Sequence, residues 1–141
     1  MHTLENIFID LNIIVDVVLE RVGYKSSLAV IELSDSSDVQ LFVSAHTVTT
    51  FAYLLEQAKI KRSEIHKYIE WMLMTFIVIP TDQIVLNEAL KSRILDYEDA
   101  VIDKSARSCG ALFIVTRNMK DFKWSSVRAI TPEDYLLLSK V

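Results

Sequence analysis

Short apolar, β-branched runs recur at residues 7–10, 41–44, 76–79, 112–116 and 127–130, and longer segments with helical spacing separate them. Each run suits a strand buried on both faces. Val48, Phe51, Ala52 and Leu55 form one helical stripe, and Leu86, Leu90 and Ile94 form another. The final segment, "TPEDYLLLSK", carries its own start signal. Thr131 caps, Pro132 suits the first helical position, and Glu133 and Asp134 favour the positive end of the dipole. Strands alternating with helices predict an α/β fold with a mostly parallel sheet covered on both faces. In such sheets ligands bind beyond the carboxyl ends of the strands, near a switch in strand order. The first run ends on Asp10, and the fourth runs into "TRN" at 116–118. Chemistry is expected there.

Composition narrows the class. The 141 residues are 51% apolar with only two glycines and two prolines, which excludes a disordered or fibrous chain and points to one domain over 1–141. A formal charge of −4 excludes a protein that coats nucleic acid by bulk electrostatics, although not one with a local basic rim. The lone Cys109 permits no internal disulfide and suits a reducing cytosol; it reads as a small hydrophobe near a helix end. The first residues pass straight into strand-like sequence, so no signal peptide is expected, and "WMLMTFIVIP" is too short to span a bilayer. A cytoplasmic protein with no membrane partner is the expectation.

Acidic residues gather at the predicted strand ends. In "DYEDAVIDKSARSCG", Asp96 is a natural N-cap with Glu98 and Asp99 in the first turn, where all three complement the helix dipole. Asp99, Ile102, Asp103 and Ala106 share one face by their i, i+3, i+4, i+7 spacing. Ile102 and Ala106 mark that face as inward, so Asp99 is expected to point across the top of the sheet. Asp103, one turn deeper, is either a half-buried carboxylate with a partner or a group supporting the site. In "LFIVTRNMKDF", the turn after the strand carries Arg117, Asn118, Lys120 and Asp121; alone, Asn118 reads as a turn former and Asp121 as a local cap. Together with Asp10 and Asp99, Asp121 makes three carboxylates at one end of one sheet. Like charges so placed resist ionisation unless a cation neutralises them. Hard oxygen donors without companion histidines or thiols suit Mg²⁺ or Mn²⁺, and such a cage suits phosphoryl chemistry.

"IFIDLN", "DYEDAVI" and "TRNMKDF", in this order and at these separations, resemble the PIN domain family, and within it the VapC-like toxin nucleases of toxin–antitoxin pairs. The likeness runs over nearly the whole chain, ending in "ITPEDYL"; "TRNMKDF" is its most specific piece. The resemblance implies a three-layer α/β/α fold with a five-stranded mostly parallel sheet. It also implies Mg²⁺- or Mn²⁺-dependent cleavage of RNA, homodimers, and a small antitoxin protein as partner. By position, Asp10, Asp99 and Asp121 match the family's catalytic, metal-holding acids, and Asn12, Thr116 and Asn118 its polar residues that orient water or ligand. Many members carry a glutamate where this chain has Thr50; Glu98 and Asp96 are the available substitutes, with His46 in reach. Arg117 and Lys120, beside the third motif, and the Lys59, Lys61 and Arg62 cluster could hold phosphates, although the last reads first as a solvated helix end.

Three other readings stand beside the nuclease. The missing carboxylate at Thr50 suits a catalytically weakened PIN-like module that binds RNA or protein. A phospho-acceptor signalling domain would want an acidic pair after the first strand and a lysine after the last, and a haloacid-dehalogenase-type phosphatase a second aspartate at Asn12. This chain has none of these.

Overall fold

All five apolar runs form strands. In the computed structural model, which describes residues 4–139, these are β1 (Glu5–Ile9), β2 (Val39–Ser44), β3 (Ile77–Ile79), β4 (Phe113–Val115) and β5 (Arg128–Ile130). They form a five-stranded sheet in the order β3-β2-β1-β4-β5, with every pairing parallel. Asp10 and Thr116 lie one residue past the strands they were expected to end. The ladder still reaches them: the Asp10 N–H donates to the Val115 carbonyl at 3.0 Å and the Thr116 N–H to that of Ile130 at 2.9 Å.

Seven α-helices are described: α1 (Leu11–Val18), α2 (Tyr24–Glu32), α3 (Ala45–Gln57), α4 (Arg62–Thr75), α5 (Gln83–Leu90), α6 (Tyr97–Ser108) and α7 (Pro132–Ser139). Lys140, the last residue of the final predicted segment, lies outside the described residues. Alternation along the strands sorts the helices into two layers. Ile7, Ile9, Leu41 and Val43 face a core shared with α1 to α4 and α7, whereas Phe8, Phe42 and Ile114 face α5 and α6. The result is a three-layer α/β/α fold. No helix among the described residues is long and apolar enough to cross a membrane.

The α3 stripe is buried as expected through Phe51 and Leu55, with Val48 and Ala52 packed beside them. The second stripe needs correction. Val85 and Ala89 face the core with Ile94 beyond the helix end, whereas Leu86 and Leu90 are exposed. Positions 85 and 89 repeat with the same i, i+4 period as 86 and 90, so periodicity alone cannot choose between the two faces. The small Ala89 side chain lets α5 approach its neighbours closely.

Asp103 is a structural residue. It is fully buried. Its Oδ2 accepts from the Ser126 N–H and hydroxyl, both at 2.9 Å, and its Oδ1 from the Val127 N–H at 3.0 Å. It thereby ties α6 to the loop entering β5. Asp103→Ala strands the buried Val127 N–H, so a loss of about 2–4 kcal/mol is expected. Urea unfolding checks this, and metal binding by the folded fraction should not change.

Candidate active site

The strand order places the first crossover out of β1 on one side, to β2, and the return to β4 on the other. The switch point therefore lies at the carboxyl ends of β1 and β4, where Asp10 and Thr116 stand side by side. Asp10 is the N-cap of α1: its Oδ1 accepts from the Leu11 N–H at 2.9 Å. Its Oδ2 accepts from the Thr116 hydroxyl at 2.7 Å. That hydroxyl in turn accepts from the Asn118 N–H at 3.0 Å and from the Asn12 amide at 3.4 Å. One hydroxyl thus joins residues from β1, α1 and the loop after β4. The Asn12 Oδ1 is buried and has no hydrogen-bond partner among the described residues, and an amide oxygen left so needs a ligand or water to satisfy it.

Across a cleft of about 190 Å³ stand Glu98 and Asp99, in the first turn of α6. Asp96 caps this helix by accepting from the Asp99 N–H at 3.0 Å, as its sequence position predicted. Asp10, Asn12, Asn118, Leu54 and Arg21 complete the walls. Burial, then repulsion from Asp96, Asp10, Asp121 and Glu98, pushes the Asp99 carboxyl up to about 7. Asp10 is also raised, chiefly by burial and further by Glu98 and Asp121, against the lowering effect of its two hydrogen bonds. Asp121 itself is exposed on the loop after β4; its charge reaches both carboxyls from the edge of the cleft.

Glu98 is held by α3. The His46 Nε2 lies 3.1 Å from Glu98 Oε2 and 3.3 Å from Thr50 Oγ1. An ionised carboxylate can only accept, so this nitrogen carries the proton. The imidazole fills the space between Thr50 and the acid on α6.

The sequence expectations divide accordingly. Asp10, Asn12, Glu98, Asp99 and Asn118 line one cleft, Thr116 sits beneath it, and Asp121 flanks it. Among the described residues no three His, Cys, Asp or Glu side chains stand close enough to hold an ion as they are, so the carboxylates surround the cleft without converging on one point. Arg117 requires correction. Its guanidinium faces away from the cleft, with Nε 2.6 Å from Asp16 Oδ2 and both terminal nitrogens 2.9 Å from the Glu133 oxygens. It also donates to the Gly23 carbonyl at 2.8 Å and to Ser27 at 3.1 Å. Gly23 has φ 85°, and a Cβ there would lie 2.9 Å from the Arg117 guanidinium, so glycine is required twice over. The cation that does line the cleft is Arg21, which has no ion-pair partner among the described residues. It follows the end of α1 with no periodic or motif signal to single it out. Lys59, Lys61 and Arg62 are exposed and do not line the cleft.

A family model described as "PIN domain" matches residues 6–120. Similar solved structures include VapBC2 from Rickettsia felis bound to a DNA fragment from its promoter, with TM-score 0.72 and 16% identity over 89% of this chain and 98% of that one. A toxin–antitoxin complex from Klebsiella pneumoniae gives TM-score 0.65 and 21% identity over 89% and 96%. VapC20 from Mycobacterium tuberculosis, a Sarcin-Ricin loop cleaving toxin, gives 0.60 and 16% over 86% and 98%. No curated protein matches the chain in sequence.

Proposed function

The chain belongs to the PIN domain family, and on that premise we propose that it is a divalent-metal-dependent endoribonuclease, acting as one domain and serving as the toxin of a toxin–antitoxin pair. The observation that carries this reading is the pairing of Asp10 and Asp99 across a cleft at the switch point, with the Asp99 carboxyl raised to about 7 by burial and like charge. Carboxylates gathered around one cleft are a liability to the fold and an asset to a hard cation. The donor set fits one: carboxylate oxygens from Asp10, Glu98, Asp99 and Asp121, with the unpartnered Asn12 Oδ1 able to accept from a bound water. Bound there, Mg²⁺ or Mn²⁺ would polarise a phosphodiester oxygen and lower the pKa of an attacking water. The protein's own residues do the positioning. Thr116 fixes the rotamer of Asp10, Asn12 and Asn118 line the cleft with amides, and Arg21 offers a cation to a phosphate. A small antitoxin protein and a second copy of the chain are the proposed protein partners, and the cytoplasm is the proposed location.

Metal binding and pH test the site together. The folded Asp99 pKa lies above its ordinary value of 3.8, so the native state binds the extra proton between these values. The stability this proton contributes is fully present below about pH 4 and is lost as pH rises to about 7. Asp10 adds to the effect in the same direction. In EDTA the melting temperature is expected to be higher at pH 5 than at pH 8. Millimolar Mn²⁺ should raise it, and more at pH 8, where no proton competes for the carboxylates. A melting curve indifferent to metal at both pH values removes the site.

The contact of Thr50 with His46 favours a second reading, a catalytically weakened module that binds RNA or protein. The two part at Thr50→Glu. A glutamate there can accept the His46 hydrogen bond and adds a carboxylate, so Mn²⁺ should bind about tenfold more tightly by calorimetry. Cleavage by an inactive Glu98→Gln variant should then be restored by Thr50→Glu. If wild type and these variants neither bind metal nor cut RNA, the binding module stands.

A further inference from the structure

Beside the cleft, two loops meet in a contact that neither the fold nor the acidic site needs. Loop 91–96 leads into α6 and so carries Asp99; the loop after β4 carries Asp121. The Arg93 guanidinium carbon stacks 3.8 Å from the centroid of the Trp124 ring, and the Lys123 ammonium lies 5.2 Å from it. Phe122, two residues before, is the buried anchor of its loop, whereas Trp124 is 50% exposed. On the facing loop Leu95 is fully exposed as well. An indole left half in water and flanked by two cations is the arrangement that single-stranded nucleic acid uses, with the ring for a base and the cations for its phosphates.

Position and charge agree with this. Trp124 follows Asp121 by three residues, so its backbone lies within about 11 Å of it. The chain carries a net charge of −4 and its cleft is acidic, so a polyanion needs cations gathered locally to approach it. Arg93 and Lys123 provide them without ion-pair partners among the described residues. A protein partner's docking site would instead be expected to exclude a lysine such as Lys123 from the ring.

We propose that Trp124, Arg93 and Lys123 form a stacking subsite for an unpaired nucleotide of the RNA strand that lies across the cleft. The site rests on the nuclease reading for its ligand, and binding tests it apart from cleavage. A labelled, unstructured, uridine-rich RNA is titrated with the full chain in EDTA, by anisotropy, for wild type, Trp124→Leu, Trp124→Phe and Arg93→Gln. Trp124→Leu keeps apolar bulk but lacks a π face and should weaken binding about tenfold, whereas Trp124→Phe should stay near wild type. Arg93→Gln should weaken binding and reduce the salt dependence by roughly 0.7 of a charge-slope unit. If Trp124→Leu does not fold, Trp124→Phe and Arg93→Gln carry the test alone. Wild-type affinity in both Trp124→Leu and Arg93→Gln overturns the subsite and leaves the ring to a protein partner. Equal losses in Trp124→Phe and Trp124→Leu overturn it too. RNA binding that depends on Trp124 without cleavage in Mn²⁺ leaves the subsite standing and removes the nuclease. Cleavage with KM unchanged in Trp124→Leu does the reverse.

Discussion

Replacing Asp10 by Asn is expected to lower RNA cleavage about a thousand-fold while leaving the fold as stable as before or slightly more so. The two halves of this result have different causes. The rate falls because a charged donor is lost from the cleft. Stabilisation of transition-state charge by a metal is worth several kcal/mol, and each 1.4 kcal/mol is a factor of ten in rate. The fold survives because Asn caps a helix as well as Asp does, so the Leu11 N–H keeps its acceptor. The Thr116 hydroxyl can turn to accept from the new amide in place of donating to a carboxylate, releasing its long 3.4 Å bond from the Asn12 amide. Burial and neighbouring acids raise the Asp10 carboxyl, so a neutral isostere removes an unfavourable charge. Thermal melting with single-turnover cleavage checks both halves. A melting temperature lowered by many degrees would mark Asp10 as a structural cap.

The opposite pattern is expected at Arg117. Arg117→Ala leaves Asp16, 4% exposed, without its cation and with only the Ser27 hydroxyl at 3.3 Å, and it frees the Gly23 carbonyl and both oxygens of Glu133 from the guanidinium. Removing one member of a buried pair costs about 3–5 kcal/mol. At this chain length that lowers the melting temperature by about 10–20 °C. Arg117→Lys should recover little, because an ammonium cannot bond Asp16, Gly23 and Glu133 from one planar fork. Differential scanning calorimetry gives the loss. Metal affinity of the remaining folded protein should be unchanged, since the guanidinium does not face the cleft. A fully stable Arg117→Ala protein would show that the network is dispensable.

These two residues also mark how far local pattern reaches. Asp10 was legible because an apolar run ending in a carboxylate is anomalous wherever the strand goes. The strand itself settles which end of the sheet receives the charge. Asp96 was legible for a similar reason, since N-cap chemistry is local to four residues. Arg117 stands in an equally suggestive motif, yet its partners come from α1, the loop before α2, and α7, up to 101 residues away. A long side chain can turn to either side of its loop, and nothing nearby in sequence chooses. His46 was a lone histidine until α3 and α6 brought it to Glu98, 52 residues on. Trp124 gave no signal at all until Arg93 was placed over it.

The sequence by itself determined the five strands, the parallel α/β class and the end of the sheet at which Asp10, Glu98 and Asp99 line one cleft. Each follows from a period or a capping rule acting over a few residues, and burial on both faces calls for helices on either side of a mostly parallel sheet. Tertiary structure alone decided which face of α5 is buried, where Arg117 points, that Asp103 ties a loop to α6, and that His46 occupies the space beside Thr50. These are pairings between residues far apart in the chain. Their energies depend on distances of about 3 Å that only the packed sheet and helices set.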